Sequence, residues 1–204
     1  MAPRQYHHGA LREALIAAAD AILAERGVEG FTLREAARRA GVSAAAPAHH
    51  FASVAGLLTE VAIGGYEELT RFLRDAHSTG SGPSAQLRVS GLGYVRFALA
   101  FPGRFKLMYR KDLLNDDPRL HAAAGQAYGQ LETAMRAYLG LASDAPLDAE
   151  AQTLMLGCWS AVHGFAHLAI EGRFAQGGGA HRVRDFAEDR LPAMLAALLP
   201  DRAP

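Results

Sequence analysis

The chain has 204 residues, half of them hydrophobic, and its 21 basic and 21 acidic side chains cancel to a formal net charge of zero. This length holds one large or two small domains, and the charge balance excludes a globally basic nucleic-acid-binding protein. The only cysteine, Cys158, excludes an internal disulfide and fits a reducing compartment. No stretch has the pattern of a secretory signal, so we expect a soluble, cytoplasmic protein.

The first helical periodicity lies between Tyr6 and Thr32. Its apolar positions recur every three or four residues and predict one buried face, made of Leu11, Leu15, Ala18, Ile22 and Leu23. Gly27 is expected to end this helix. Tyr6 and His7, ahead of it, are candidates for a phosphate or minor-groove contact, although a frayed tail is the simpler expectation.

A second, shorter helix is predicted to begin after Thr32. Its hydroxyl can serve as the N-cap, and Glu35 three residues later completes the pattern of a capping box. Leu33, Ala36, Ala37 and Ala40 fall on one face. Gly41 then supplies the positive φ that ends the helix.

A third helix is predicted from about Ala44 to His50, with Ser43 as its cap. Two short helices joined so tightly are typical of a helix-turn-helix, which places its second helix in the DNA major groove. An ordinary helical hairpin has the same local pattern and is the alternative.

The rest of the chain is also helical in pattern, and no run alternates as a strand does. Further helices are expected at 54–76, 85–100, from Pro102, up to about Leu141, from Ala149 to about Phe174 with Asp148 as a cap, and at 182–199. The fold class is therefore all-α, with about nine helices. Residues 1–53 are expected to form a three-helix domain, and residues 54–204 a second domain, with helix 54–76 linking the two.

The segment 151–170 has no formal charge and is long enough to span a bilayer. It contains polar residues such as Gln152, Ser160 and His163, so we interpret it as a buried helix of a soluble protein.

Several of these segments resemble the TetR (tetracycline-repressor) family of bacterial transcriptional regulators. The N-terminal resemblance rests on HGALREALIAAA, on Gly-x-x-Gly-Phe-Thr-Leu-Arg-Glu-Ala-Ala, on AGVS, and on HHF followed by Gly-Leu-Leu. The stretches PGRFKLMYR and WSAVHGFAHLAIEGRF resemble a C-terminal subclass, the WHG type. The resemblance implies a DNA-binding head followed by a helical domain that binds an effector and dimerises.

The resemblance also assigns roles at the DNA end. It places Thr32 and Arg34 near the DNA backbone and His49 and His50 at phosphates, although His50 packing inside the domain is an equal alternative. The remaining candidates would begin the recognition helix: Ser43, Ala44, Ala45 and Ala46.

Two positions depart from the family pattern. Many family members carry Tyr and Lys where this chain has Ala48 and Val54, and both residues typically bind phosphates. Alanine contacts a thymine methyl but makes no bidentate base contact, so weak binding or shape readout is expected.

At the other end, an aromatic and methionine-rich set is the candidate lining of an effector cavity: Tyr94, Phe97, Phe101, Phe105, Met108, Tyr109, Tyr128, Met155, Trp159 and His163. Plain core packing is the alternative for each of them. Apolar walls with a few polar groups suit a small hydrophobic or aromatic effector. We expect no cofactor and no metal.

His163 and His167, four residues apart, point from one helix face and could bind a metal, but the zinc-hydrolase pattern lacks its glutamate. A buried hydrogen bond or a role at the dimer interface is the preferred interpretation. An enzyme using Cys158 or this histidine pair is disfavoured because no activated-nucleophile arrangement accompanies them.

The apolar positions of the last two helices are expected to pair with a symmetry mate in a four-helix bundle. They are Leu154, Ala161, Val162, Phe165, Ala166, Ile170, Leu191, Met194, Leu195 and Leu198.

The sequence thus predicts a regulator, in its simplest form a repressor, that binds a palindromic operator as a homodimer and is released by its effector. The alternative is a helical ligand-binding or interaction protein with a degenerate DNA-binding head.

Overall fold

The computed structural model describes residues 8–174 and 180–201, and Tyr6 and His7 lie outside them. The described chain is all-α, as predicted, with nine α-helices and one short 3-10 turn. The helices are α1 (His8–Arg26), α2 (Leu33–Arg39), α3 (Ala46–Phe51), α4 (Val54–His77), α5 (Pro83–Ala100), α6 (Pro102–Met108), α7 (Pro118–Leu139), α8 (Ala149–Ile170) and α9 (Ala180–Leu198), and the turn is Lys111–Leu113.

Local signals fix most helix ends. Gly27 and Gly41 have φ of 69° and 70°, so the predicted stops of α1 and α2 are confirmed. Asp148 caps α8, because its carboxylate accepts a hydrogen bond from the backbone N–H of Ala151 at 2.8 Å. Pro102 lies in the first turn of α6, where its missing N–H is not needed.

The helices form two compact units. The first unit contains the described residues up to Tyr66 together with Phe101–Ala123, and the second contains Glu67–Ala100 with the described residues from Ala124 onward.

The core of the first unit lies along α1. Leu15, Ile22 and Leu23 are almost fully buried, whereas Leu11, placed on the same face, is only half-buried. Helix α6 packs directly on α1, since a Cβ on Gly103 would lie 2.2 Å from the carbonyl oxygen of Leu23. Glycine is therefore required at this crossing.

Charged side chains tie the first unit together. Arg104 of α6 forms a two-pronged ion pair with Asp20 of α1. Glu60 of α4 pairs with Arg12 of α1 and with Arg119 at the start of α7. Burial raises the pKa of Glu60, but the hydrogen bonds from Arg12 and Arg119 outweigh it, and the net pKa is lowered. Glu60 is therefore the charged centre that joins three helices of this unit.

The second unit is built around α5, which packs against α8 and α9. Val95 and Phe97 are fully buried, and Gly91 lies close to the side chains of Val162 and Leu195. A further buried cluster joins α5, α7, α8 and the end of α9: Leu87, Ala134, Met135, Tyr138, Leu147, Ala151, Met155, Cys158 and Leu199.

This packing corrects the predicted dimer face. Val162, Phe165, Ala166, Leu191 and Leu195 are buried within the protomer, and of the predicted set only Leu198 is exposed. The apolar side chains that α8 does leave in solvent are Leu156 and Leu168, which are 57% and 48% exposed. Periodicity identified α8 and α9 as apolar, but it did not distinguish the side of α8 that α5 covers.

Helix α8 is the one helix in the described part of the chain that is long and apolar enough to cross a membrane. Its most apolar 18-residue window has a mean hydropathy of 1.3, and a third of that window is buried. Its inward side packs on α5 and α9, as expected for a core helix.

Candidate DNA-binding and effector sites

Helices α2 and α3 form a tight helix-turn-helix. Val42 donates its N–H to the carbonyl of Ala37 at 3.0 Å, which closes the end of α2 around Gly41. Pro47 and Phe51 lie on the inner side of α3 and are buried, while Ala48 and His49 are exposed. The two helices contact each other within the first unit. The outer side of α3 is therefore available to a partner.

The start of α3 differs from the prediction. Ala45 occupies the N-cap position with no side-chain cap, and Ser43, predicted to be the cap, lies in the preceding turn. Ser43, Ala44 and Ala45 are thus exposed turn residues, and only Ala46 begins the helix. The reason is Pro47, which is tolerated only in the first helical turn and so sets where α3 begins.

Thr32 is the N-cap of α2, as predicted, and its hydroxyl accepts the N–H of Glu35 at 3.3 Å. In a full capping box the Glu35 side chain would bond back to the N-cap backbone. Here its carboxylate instead accepts hydrogen bonds from the guanidinium groups of Arg38 and Arg39. These hydrogen bonds, from Arg38 first and then Arg39, lower the pKa of Glu35 to about 2.

The basic cluster of α2 is largely neutralised by this network. Arg39 also pairs with Glu25 of α1 at 2.6 Å. Arg34 is exposed and forms no ion pair with another described residue. Arg34 is consequently the arginine of α2 whose charge is fully available to a phosphate.

The end of α3 carries both histidines. His49 is exposed, whereas His50 is half-buried beside Phe51, with ring centroids 6.3 Å apart. The guanidinium of Arg12 lies over the ring of Phe51, 5.6 Å from the ring centroid. His49 therefore has the freer access to a partner, and His50 is partly engaged in packing.

The turn between α3 and α4 contains a backbone outlier. Ala52 has φ of 59° and ψ of −32°, and it is the one described non-glycine residue with a positive φ. A Cβ makes this region unfavourable for an L-residue by about 1–2 kcal/mol. The strain lies directly beside the exposed end of the helix-turn-helix.

We expect Ala52→Gly to stabilise the protein by up to about 1 kcal/mol, because relief of the strain exceeds the added entropy of the unfolded chain. The urea midpoint should rise with an unchanged m-value. Ala48→Gly, one turn earlier on the exposed side of α3, is the control and should destabilise by about 1 kcal/mol. Equal destabilisation by both glycines would show that Ala52 is unstrained.

The predicted effector-lining residues are divided between the two units. Phe101, Phe105, Met108 and Tyr109 belong to the first unit. Phe105 and Met108 are buried there, and the rings of Phe105 and Tyr109 meet edge to face at 5.4 Å.

Tyr66 joins this first group and was missed by the sequence analysis. Its hydroxyl donates to the carbonyl of Met108 at 3.1 Å, and its ring lies 6.5 Å from that of Tyr109. Burial, followed by the proximity of Tyr109, raises the pKa of Tyr66, so its phenol is neutral. No local pattern in α4 marks this residue, because its partners are about forty residues away along the chain.

The second unit holds the other members of the predicted set. Phe97 and Met155 are buried in this unit. Tyr128 is 41% exposed, and its ring meets that of Trp159 edge to face at 6.0 Å.

His163 is the polar centre of this second group. Its Nδ1 lies 2.7 Å from the hydroxyl of Tyr94, which is itself buried. The rings of Trp159 and His167 lie 6.3 and 4.6 Å from that of His163. Burial, and then the neighbouring His167, lowers the pKa of His163, so the imidazole is neutral at pH 7. The second unit therefore places a hydrogen-bonded tyrosine–histidine pair among the rings of Trp159 and His167.

Comparison with known proteins supplies the family. Residues 15–61 match the profile of bacterial regulatory proteins of the tetR family, and residues 87–198 match a tetracyclin repressor-like C-terminal domain. No curated protein sequence matches the chain.

Solved structures resemble the whole chain. A protein of unknown function from a Rhodococcus species is 32% identical, with 95% of this chain and all of that chain covered and a TM-score of 0.72. The TetR-family regulator PfmR from Thermus thermophilus is 18% identical over 95% of this chain and 97% of its own, with a TM-score of 0.66. The ketosteroid transcriptional regulator KstR2 of Mycobacterium tuberculosis is 20% identical over 91% and 93%, with a TM-score of 0.62. The helix-turn-helix, the nine-helix order of the described residues and the two profile matches together establish that the chain belongs to the TetR family of transcriptional regulators.

Proposed function

We propose that this regulator, which belongs to a family of DNA-binding proteins rather than enzymes, is a cytoplasmic repressor that binds a palindromic operator as a homodimer. The observation that carries the proposal is the tight helix-turn-helix with Arg34 and His49 exposed beside it. Basic and hydroxyl groups around such a unit hold phosphates, while residues at the exposed side of the second helix reach the groove.

Dimerisation is supported by the exposed apolar residues of the last two helices. Leu156 and Leu168 of α8 and Leu198 of α9 are 44–57% exposed, so both helices leave large apolar side chains in solvent. A two-fold axis through such a face would relate two recognition helices and match a palindromic operator.

Release by an effector is supported by the second unit. Tyr94 and His163 are hydrogen-bonded to each other, the ring of Trp159 lies beside His163, and Tyr128 packs on Trp159. This arrangement suits a small hydrophobic or aromatic molecule with a hydrogen-bonding group. Such a molecule lowers operator affinity only if it binds one conformer of the dimer more tightly than the other.

A second function has one specific observation in its favour. Ala48 and Val54 are both exposed, so the positions that grip phosphates in many relatives lack a polar group here. A dimeric ligand-binding protein with a degenerate head would look the same. Binding to DNA fragments that flank the gene, measured at two salt concentrations against a scrambled fragment, separates the two functions.

For the repressor, we expect Arg34→Ala to weaken binding to every fragment and to flatten the slope of log affinity against log salt by about one. Fluorescence anisotropy measures both quantities. Arg74→Ala, exposed in the last turn of α4, is the matched control and should leave both unchanged. No preference for the flanking DNA in the wild type would favour the degenerate head.

A further inference from the structure

Two imidazoles lie side by side on α8. His163 and His167 are one helical turn apart, both are half-buried, and their ring centroids are separated by 4.6 Å with an angle of 64° between the planes. Side chains at this spacing project from the same face of a helix. Two imidazole rings held this closely on a rigid helix can chelate an ion, because little conformational freedom is lost when the ion bridges them.

Tyr94 orients one of the two rings. Its hydroxyl lies 2.7 Å from Nδ1 of His163, so Nε2 is the ring nitrogen that lies outside this hydrogen bond. A metal-bound imidazole usually hydrogen-bonds through its other nitrogen to an oxygen, and this contact fixes both the tautomer and the ring. The hydrogen bond crosses from α5 to α8, so the fold itself holds the ring in place.

Cys158 is not counted as a ligand, because it belongs to the buried cluster with Met155 and Tyr138. Within the described residues, no three histidine, cysteine or carboxylate groups gather at one place, so the pair has nitrogen donors only.

We propose that His163 and His167 form a two-nitrogen site for a late first-row divalent transition ion, with Tyr94 as its positioning residue. Imidazole donors select nickel, copper and zinc over magnesium and calcium, which prefer oxygen. With two protein ligands, the ion keeps open positions for water or for a donor atom of a bound molecule. The site extends the chemistry of the second unit beyond the apolar effector recognition proposed above, and it does not depend on DNA binding.

The only tryptophan of the chain provides a local reporter. The ring of Trp159 lies 6.3 Å from that of His163, and Ni²⁺ quenches indole fluorescence at such short range. Nickel is titrated into the intact protein, and saturable one-site quenching is expected. Excess Zn²⁺, which does not quench, should restore the fluorescence by competition. The readout matters because the chain has nine histidines, and bound metal measured in bulk would include ions held elsewhere.

Variants then assign the ligands. Tyr94→Phe should raise the half-quenching concentration of Ni²⁺ about tenfold, a usual effect of removing an outer partner. His163→Gln and His167→Gln should each raise it further. His121→Gln, an exposed histidine of α7, is the matched control and should leave the curve unchanged.

Far-UV circular dichroism establishes that each variant is folded. Identical quenching curves for the wild type and His167→Gln, or failure of Zn²⁺ to restore fluorescence, would overturn the proposal. A wild type that shows no saturable quenching would do the same, whatever the outcome of the DNA-binding experiment.

Discussion

Gly103→Ala is expected to lower the melting temperature by roughly 10 °C. The added Cβ would lie 2.2 and 2.5 Å from the carbonyl oxygen and carbon of Leu23 and 3.0 Å from the nitrogen of Ala24. All three atoms belong to the backbone of α1, so no side chain can rotate away. Helices α1 and α6 must separate, and we expect a loss of about 3 kcal/mol, at or above the usual range for overpacking.

The matched control for this substitution is Gly129→Ala in α7. No atom lies within 4 Å of a Cβ at that position, so only helix propensity changes. Alanine should stabilise the helix there by up to about 1 kcal/mol. Thermal unfolding of the two variants should therefore shift in opposite directions. A similar shift for both would mean that α1 and α6 are not in close backbone contact.

The double substitution Ala48→Tyr with Val54→Lys is expected to raise DNA affinity by roughly tenfold or more, since one charge-assisted hydrogen bond is worth about 1.5–3 kcal/mol. Ala48 is exposed on α3, and Val54, the first residue of α4, is 43% exposed. Neither change removes a core side chain. A lysine at a helix N-terminus costs about 0.3–1 kcal/mol of stability, which is smaller than the expected gain in binding.

The salt dependence separates the two side chains. The lysine should steepen the slope of log affinity against log salt by about one, whereas the tyrosine hydroxyl should not change it. Both should strengthen binding to the operator and to scrambled DNA alike, because phosphate contacts carry no sequence information. Val54→Gln is the uncharged control. If the double variant bound DNA no better than the wild type, the outer side of α3 would not face the duplex.

Local features were the ones that the sequence predicted well. The apolar face of α1, apart from the half-buried Leu11, and the stops at Gly27 and Gly41 were confirmed. Helical spacing and a positive φ are properties of a few neighbouring residues. The prediction of Ser43 as a cap was wrong for an equally local reason. A serine before an alanine run resembles a cap, but Pro47 restricts the helix start more strongly.

Long-range features were less accessible. Tyr94 and His163 are 69 residues apart, and the sequence identifies them only as two members of the aromatic and methionine-rich set. Their hydrogen bond depends on how α5 and α8 pack, which periodicity does not specify. The same limit explains the dimer face, since Phe165 and Leu168 are equally apolar and only the packing of α5, α8 and α9 buries the first and exposes the second.

The contact between α1 and α6 has a consequence for synthesis on the ribosome. Asp20 and Arg104 are 84 residues apart, so the helix-turn-helix leaves the exit tunnel long before its supporting helix does. A nascent chain that ends within α5 carries the recognition helix but lacks the segment 101–123 that completes its unit. Head-swapped chimaeras spliced within α4 face the same difficulty, because they join the α1 of one parent to the α6 of the other. Transplanting the segment 101–123 together with the head keeps the Leu23–Gly103 crossing intact.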